Sequence, residues 1–114
     1  EGYGIGEYML LIFTKEDFHG MDSINLWGFH IVNGYCKSRA TWEANSRVKL
    51  LKIYHNDKPL FFINLHDSMY VQAVGFDQIW LKPDDEIKAE IIEIYPGTRY
   101  EDTAITEFIP LGAH

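Results

Sequence analysis

Five histidines, one cysteine and the acidic pairs Asp84-Asp85 and Glu101-Asp102 are the residues of this sequence weighed first for bond-making chemistry. The histidines are His19, His30, His55, His66 and His114. None falls in a His-x-His, His-x-x-x-His or His/Cys arrangement at zinc spacing. His66-Asp67 is the adjacent His–acid pair, and its place at a strand end reads as an exposed turn rather than a metal pair. A nucleophilic Cys36 would need a nearby base, and the sequence names none, so an inert, partly buried thiol is the stronger reading. Gly2-x-Gly4-x-Gly6 invites a phosphate loop, but that loop needs a strand before it and a helix after it. Here the glycines lead into a strand. Asp84-Asp85 and Glu101-Asp102 fall in turns, where carboxylates are solvated, whereas a glycosidase needs two acids facing across a cleft. No catalytic residue, metal ligand set or cofactor motif emerges, and no enzyme is expected.

Recognition without bond-making is better supplied. Sugars present C–H faces and many hydroxyls, so a carbohydrate site wants an aromatic platform ringed by amide, carboxylate and guanidinium groups. The connection from Asn33 to Ser46 holds that mixture in Tyr35, Lys37, Arg39, Trp42, Glu43 and Asn45. It exceeds ordinary hairpin length, which suggests use. Trp42 is the first candidate platform; the competing reading is a loop indole folded down over the core. Tyr35 is either a ligand contact or a ring that anchors the loop. Arg39 has the fork geometry to grip a carboxylated sugar, or is a solvated surface residue. Asn45 completes the first candidate set. Arg99 and Tyr100, beside Tyr95, form a reserve set if their loop lies at the same end as Trp42.

The elements that must hold these loops are strands. The chain has 114 residues, 46% hydrophobic and 24% charged, which fits one globular domain and excludes disorder, collagen and coiled coil. Ile is more than twice as common as Ala, and no long segment keeps a 3.6-residue period. Period two recurs instead. Strands are expected at about 5–14, 24–32, 47–55, 60–66, 71–76, 78–81, 86–95 and 104–110. In the second, Ile24, Leu26, Gly28, His30 and Val32 alternate with Asn25, Trp27, Phe29 and Ile31. Leu50-Leu51 breaks the alternation of the third and suggests a bulge. Asn56-Asp57-Lys58-Pro59 predicts the turn of a hairpin between the third and fourth. Asp67 is expected to cap a turn. Trp27 and Trp80, within strands, are expected to pack in the core or between sheets. A single helical turn fits within 15–21 or 40–45. Eight short strands without crossover helices predict an all-β antiparallel sandwich or jelly roll.

The net charge of −7 opposes nucleic-acid binding and adsorption to an anionic membrane. The apolar run Met9–Phe13 is far short of the ~20 residues that span a bilayer. Lone Cys36 excludes an internal disulfide and says little about compartment. The chain starts at Glu1 without an initiator Met and reads as a piece of a longer polypeptide, so the lack of a signal peptide carries no information about the parent.

Several blocks together resemble a known family. They are Gly4-Ile5-Gly6-Glu7; Asn33-Gly34-Tyr35 with Ser38 and Asn45-Ser46-Arg47-Val48-Lys49; Leu65-x-Asp67 with Gln72; and Tyr95-Pro96-Gly97-x-x-Tyr100-x-Asp102-Thr103-Ala104-Ile105-x-Glu107. In this order, over nearly the whole chain, they are similar to the discoidin-related, NADase-type glycan-binding domain of bacterial surface and secreted proteins. The resemblance implies a galactose-binding-like jelly roll that binds a glycan or glycoconjugate, or attaches to another protein domain, at the cell envelope or outside the cell. It implies no hydrolase activity, no cofactor and no membrane insertion. Family members usually carry an upstream segment, so one or two N-terminal strands are expected to be missing from this chain. Among the matching residues, Arg47 is expected to pair with Asp102 or Glu107 and tie two loops together.

Overall fold

The computed structural model describes residues 4–100 and 102–113. Gly2, Glu101 and His114 lie outside them. Seven strands form the body: β1 (Tyr8–Ile12), β2 (Ile24–Asn33), β3 (Arg47–His55), β4 (Lys58–Asn64), β5 (Gln72–Leu81), β6 (Glu86–Tyr95) and β7 (Ile105–Ala113). One sheet has the order β1-β6-β3-β4 and the other β5-β2-β7. Every pairing between these strands is antiparallel. The all-β sandwich expected from period two is therefore the fold. No helix among the described residues is long and apolar enough to cross a membrane.

The core lies between the inward faces. Leu51, Ile53, Ile87 and Ala89 of the larger sheet meet Leu26, Phe29, Ile31 and Leu81 of the smaller, all at 0–1% exposure. Phe29 is the hub, with its ring centroid 4.5 Å from that of Phe108 and 5.4 Å from that of Phe76. A single helical turn is expected in one of two segments, and each of them holds one. One is a 3₁₀ turn, Lys15–Phe18, whose Phe18 plugs the core; the other is α1, Arg39–Ala44. Asn56 and Asp57 take left-handed φ values of 48° and 68°, which a two-residue turn between twisted strands requires.

Three differences from the expectation have physical reasons. First, the strands expected at 71–76 and 78–81 are one strand, β5, because Asp77-Gln78 is absorbed in an irregularity rather than ending the pairing. Leu26 faces Ile79 and Gly28 faces Gly75, so three residues of β5 oppose one of β2. Second, the same irregularity changes the alternation of β2. Ile24 and Leu26 point inward before it, but Phe29 and Ile31 do so after it, so Gly28, His30 and Val32 do not share the face of Ile24. Third, β1 starts at Tyr8, because Gly4 and Gly6 form a turn (φ 78° and 92°) in which Gly6 N–H donates to Ile91 O at 2.8 Å. Those glycines start a strand against β6, as expected. The Leu50-Leu51 bulge is also present.

The strand directions gather the connections at two ends. Residues 13–23, the 56–57 turn and 82–85 lie at one. Residues 34–46, 65–71, 96–100 and 102–104 lie at the other, called here the loop end.

Candidate functional site

Arg47, the first residue of β3, organises the loop end. It is 7% exposed, yet each of its three side-chain nitrogens is hydrogen-bonded. Nε and Nη2 donate to the two carboxylate oxygens of Asp67, each at 2.9 Å. Nη1 donates to the carbonyls of Trp42, Glu43 and Asn45 at 3.0–3.3 Å. A cation at a helix C-terminus satisfies carbonyls that have no partner within the helix. The expectation that Arg47 pairs with Asp102 or Glu107 is thus corrected: its partner is Asp67. The reason is register. Leu50 faces Asn64, Leu65 N–H donates to Lys49 O at 2.9 Å, and the same count continued two residues sets Arg47 opposite Asp67. Asp102 contributes its backbone carbonyl to Ser46 N–H at 2.8 Å, and Glu107 sits in β7 opposite Val32. Asp67 holds a cation rather than only capping a turn.

Trp42 lies against this centre. Its ring centroid is 4.4 Å from the Arg47 guanidinium carbon, and its Nε1–H donates to Asn33 O at 3.1 Å. At 7% exposure it offers no open ring face, which corrects the platform reading. The cause is Asn33-Gly34. Asn33 is fully buried, and its amide bonds Val48 through both Nδ2 (2.6 Å) and Oδ1 (2.9 Å). Gly34, at φ 88°, leaves room for the indole: a Cβ there would lie 2.6 Å from Trp42 Cδ1 and 2.7 Å from Arg47 Cγ.

The reserve set does lie at this end. Thr98 N–H donates to Glu43 O at 2.9 Å, and the Arg99 and Tyr100 N–H groups donate to Ala44 O at 3.1 and 2.8 Å. Gly97 allows this contact, since a Cβ on it would lie 2.4 Å from Ala44 O. Buried Ser46 accepts from Gly97 N–H and donates to Tyr100 O. Gln72 closes the third loop through paired bonds to the His66 backbone, and Tyr95 Oη donates to Leu65 O, all at 2.8 Å. Thr106 Oγ1 donates to Gly34 O and accepts from Cys36 N–H.

Of the candidate residues, Tyr35, Lys37, Arg39, Glu43, Arg99 and Tyr100 face solvent. Tyr35 is 45% and Tyr100 46% exposed, and the Arg99 guanidinium carbon lies 5.4 Å from the Tyr100 ring centroid. Arg39 is held by a 3.8 Å ion pair to Glu43 and lies with its guanidinium carbon 5.8 Å from the Trp42 ring centroid. Asn45 turns inward, its Nδ2 donating to Thr41 O at 2.8 Å, and serves the helix end. Tyr70, 75% exposed in the 65–71 loop, was not foreseen; an aromatic between Ser68-Met69 and Val71 with no strand partner was its signal. The same loop borders a cleft of about 550 Å³ whose lining includes Asn64, His66, Ser68 and Gln72.

The chemistry-bearing residues elsewhere take structural roles. Cys36 Sγ is 3.3 Å from Asn33 O. His55 meets Asp85 at 2.9 Å at the opposite end, where Asp85 also accepts from Asn56 Nδ2 and Lys82 N–H. Burial pushes the Asp85 carboxyl upward, but the hydrogen bonds from Asn56, Lys82 and His55 together outweigh it and hold it below the usual carboxylate range.

The residues of the ordered blocks are therefore chiefly the frame of the loop end: Asn33, Gly34, Arg47, Asp67, Gln72, Tyr95 and Gly97. A search of curated proteins and a search of solved structures each returned no significant match. A family model described as the NAD glycohydrolase translocation F5/8 type C domain matches residues 1–110. With its discoidin-like β-sandwich and that match over nearly its full length, the chain belongs to the NAD glycohydrolase translocation F5/8 type C domain family.

Proposed function

We propose that the chain is a non-catalytic attachment module of a bacterial secreted or envelope protein, and that its loop end binds the carbohydrate of a glycan or glycoconjugate. The family is named for translocation, a role of carriage or interaction and not of catalysis. The observation that carries the carbohydrate reading is the hydrogen-bonded union of residues 96–100 with the C-terminus of α1. It gives Arg39, Arg99, Tyr35 and Tyr100 one rigid support while leaving them exposed. Tyrosine rings supply C–H stacking and guanidinium groups supply paired donors, so little ordering cost is left for the moment of binding. Trp42 and Asn45 act as support. The test is a glycan array with the purified chain and with Tyr100→Ala and Arg39→Ala. Binding to a defined glycan that weakens in both variants supports the reading, and silence across the array contradicts it.

A second reading has its own observation. β1 is an edge strand whose outward residues Tyr8, Leu10 and Ile12 are all apolar and 59%, 42% and 54% exposed. Beside it a cleft of about 480 Å³ is lined by residues of β1, β2 and β7, Leu10, Ile12, Leu26 and Pro110 among them, and by Asp17 and His19. Such an edge accepts a further strand, which favours a protein-interaction module on the same sandwich. An obligate dimer, or a stable complex with another domain, without sugar binding would favour this reading over the first.

A further inference from the structure

Trp27 and Trp80 lie on the outer face of the smaller sheet, 44% and 60% exposed, which corrects the expectation that both pack inside. Alternation sends Ile79 and Leu81 inward and Trp80 outward, and the irregularity at Leu26–Gly28 keeps Trp27 out. Exposed Asp77 and Glu107 share that face, so its character is mixed. The cleft bordered by the 65–71 loop is chemically more uniform.

Its origin is the topology. β4 is an edge of the larger sheet and β5 an edge of the smaller, and the 65–71 loop carries the chain from one to the other. No ladder joins β4 to β5, so a space of about 550 Å³ is left between Asn64 and Val74. Further along, the Phe61 and Phe76 rings meet across the gap with centroids 4.9 Å apart, and separate the cleft from the groove beyond, which both rings line. The walls are held before anything binds. The Gln72 amide bonds the His66 N–H and carbonyl, Ser68 N–H donates to His66 O, and Tyr70 N–H donates to Ser68 Oγ.

We propose that this cleft is a binding site for a small neutral polyhydroxyl ligand, the uncharged sugar at the end of a glycan. Four properties select it. First, Asn64, His66, Ser68 and Gln72 supply the polar lining, the other lining residues are Val and Ala, and none carries a carboxylate, ammonium or guanidinium group. Asp67 and Lys49, the charged neighbours along the loop and across the β3–β4 pairing, are already paired with Arg47 and Glu93. Neither an anionic nor a cationic ligand finds a free counter-charge. Second, spare hydrogen-bonding capacity of both kinds remains. The Asn64 amide and the His66 imidazole have no partner among the described residues, and the Ser68 hydroxyl accepts one bond and gives none. A sugar hydroxyl both donates and accepts, and matches that lining. Third, the Val and Ala side chains leave apolar wall for the C–H groups of a ring, and the volume falls within the range of small-molecule sites. Fourth, the Phe61–Phe76 contact stops an extended peptide that would run between β4 and β5, and leaves room for a short ligand.

The site shares no residue with the surface of Tyr35, Arg39, Arg99 and Tyr100, so it stands or falls separately. The experiment is an amide NMR titration of the purified chain at neutral pH with lactose, maltose, cellobiose and chitobiose, with galacturonic acid as the charged comparison. Saturable shifts at residues 64–74 are expected with at least one disaccharide, and binding at least tenfold weaker in His66→Ala and in Asn64→Leu. Both side chains are exposed and unpartnered among the described residues, so either variant keeps the test sound if the other fails to fold. Shifts confined to residues 35–39 and 98–100 overturn this site and leave the loop-end reading standing. The absence of a saturable shift with every disaccharide overturns it too, and the glycan array then decides the loop-end reading on its own. Tighter binding of galacturonic acid than of any disaccharide at residues 64–74 overturns the assignment of a neutral ligand.

Discussion

The guanidinium carbon of Arg47 lies 4.4 Å from the centroid of the Trp42 ring, and the same guanidinium holds Asp67 through two 2.9 Å bonds. One side chain thus fixes the 34–46 loop from below and ties it to the 65–71 loop. Removing it takes the partner from Asp67 and a donor from the Trp42 and Asn45 carbonyls, while Glu43 O keeps Thr98 N–H, and it leaves a cavity under the indole. Arg47→Ala is expected to cost about 3 kcal/mol or more. Arg47→Lys should recover only part of this, since an ammonium cannot reproduce the paired geometry. Urea denaturation of both variants measures the difference.

Gly34 makes the packing of Trp42 possible through its left-handed φ of 88° and its missing Cβ. Gly34→Ala must therefore strain the backbone and push the indole off Arg47. A loss of about 3 kcal/mol is expected, a fall in melting temperature of roughly 10 °C. Thermal unfolding followed by circular dichroism checks it, and Gly6→Ala serves as the comparison: it has a similar φ but no neighbour within 4 Å.

At the far end, Asp85 joins the 56–57 turn to the 82–85 turn through Asn56, His55 and the Lys82 backbone. Its folded pKa is depressed, so its contribution is fully present above the unfolded carboxylate value of about 3.9 and is lost as pH falls through the lower folded value. Asp85→Asn is expected to be less stable than wild type at pH 6, and the gap should narrow as pH drops below about 4. Denaturation midpoints measured from pH 6 to pH 2.5 show whether the gap closes in that window.

The β1 edge gives a prediction for the interaction reading. A charge in the middle of an exposed apolar edge discourages strand addition. Leu10→Lys, at a position already 42% exposed, should leave the melting temperature within a few degrees and abolish any self-association of the wild type. Light scattering over a concentration series reads this out. A dimer that persists in the variant would place the contact elsewhere.

Most of the architecture was legible in the sequence because period two and turn chemistry are local signals. Asn56-Asp57 announces its hairpin, and Leu50-Leu51 announces a bulge that the pairing contains. What escaped depends on partners distant in sequence. Asp77-Gln78 reads as a break, yet β2 pairs across it. Alternation shows that Trp27 and Phe29 lie on one side of an ideal strand, but nothing local reveals the irregularity that separates them. At the loop end, the sequence points to the right segments and misassigns roles within them. Trp42 has the type of a platform and the position of a lid, and the difference is set by Gly34. Arg47 finds Asp67 by continuing the β3–β4 register, a count that the predicted hairpin already permits once its single-residue shift is included.

A frame built on Arg47 is proposed to hold Tyr35, Arg39, Arg99 and Tyr100 still for a sugar. Nuclear magnetic resonance mapping of the amide shifts, as the strongest glycan from the array is titrated in, tests it most directly. Perturbations are expected to concentrate at residues 35–39 and 98–100, with His55 and Asp85 unchanged. Perturbations confined to the 56–57 and 82–85 turns, or none at saturating glycan, would contradict it.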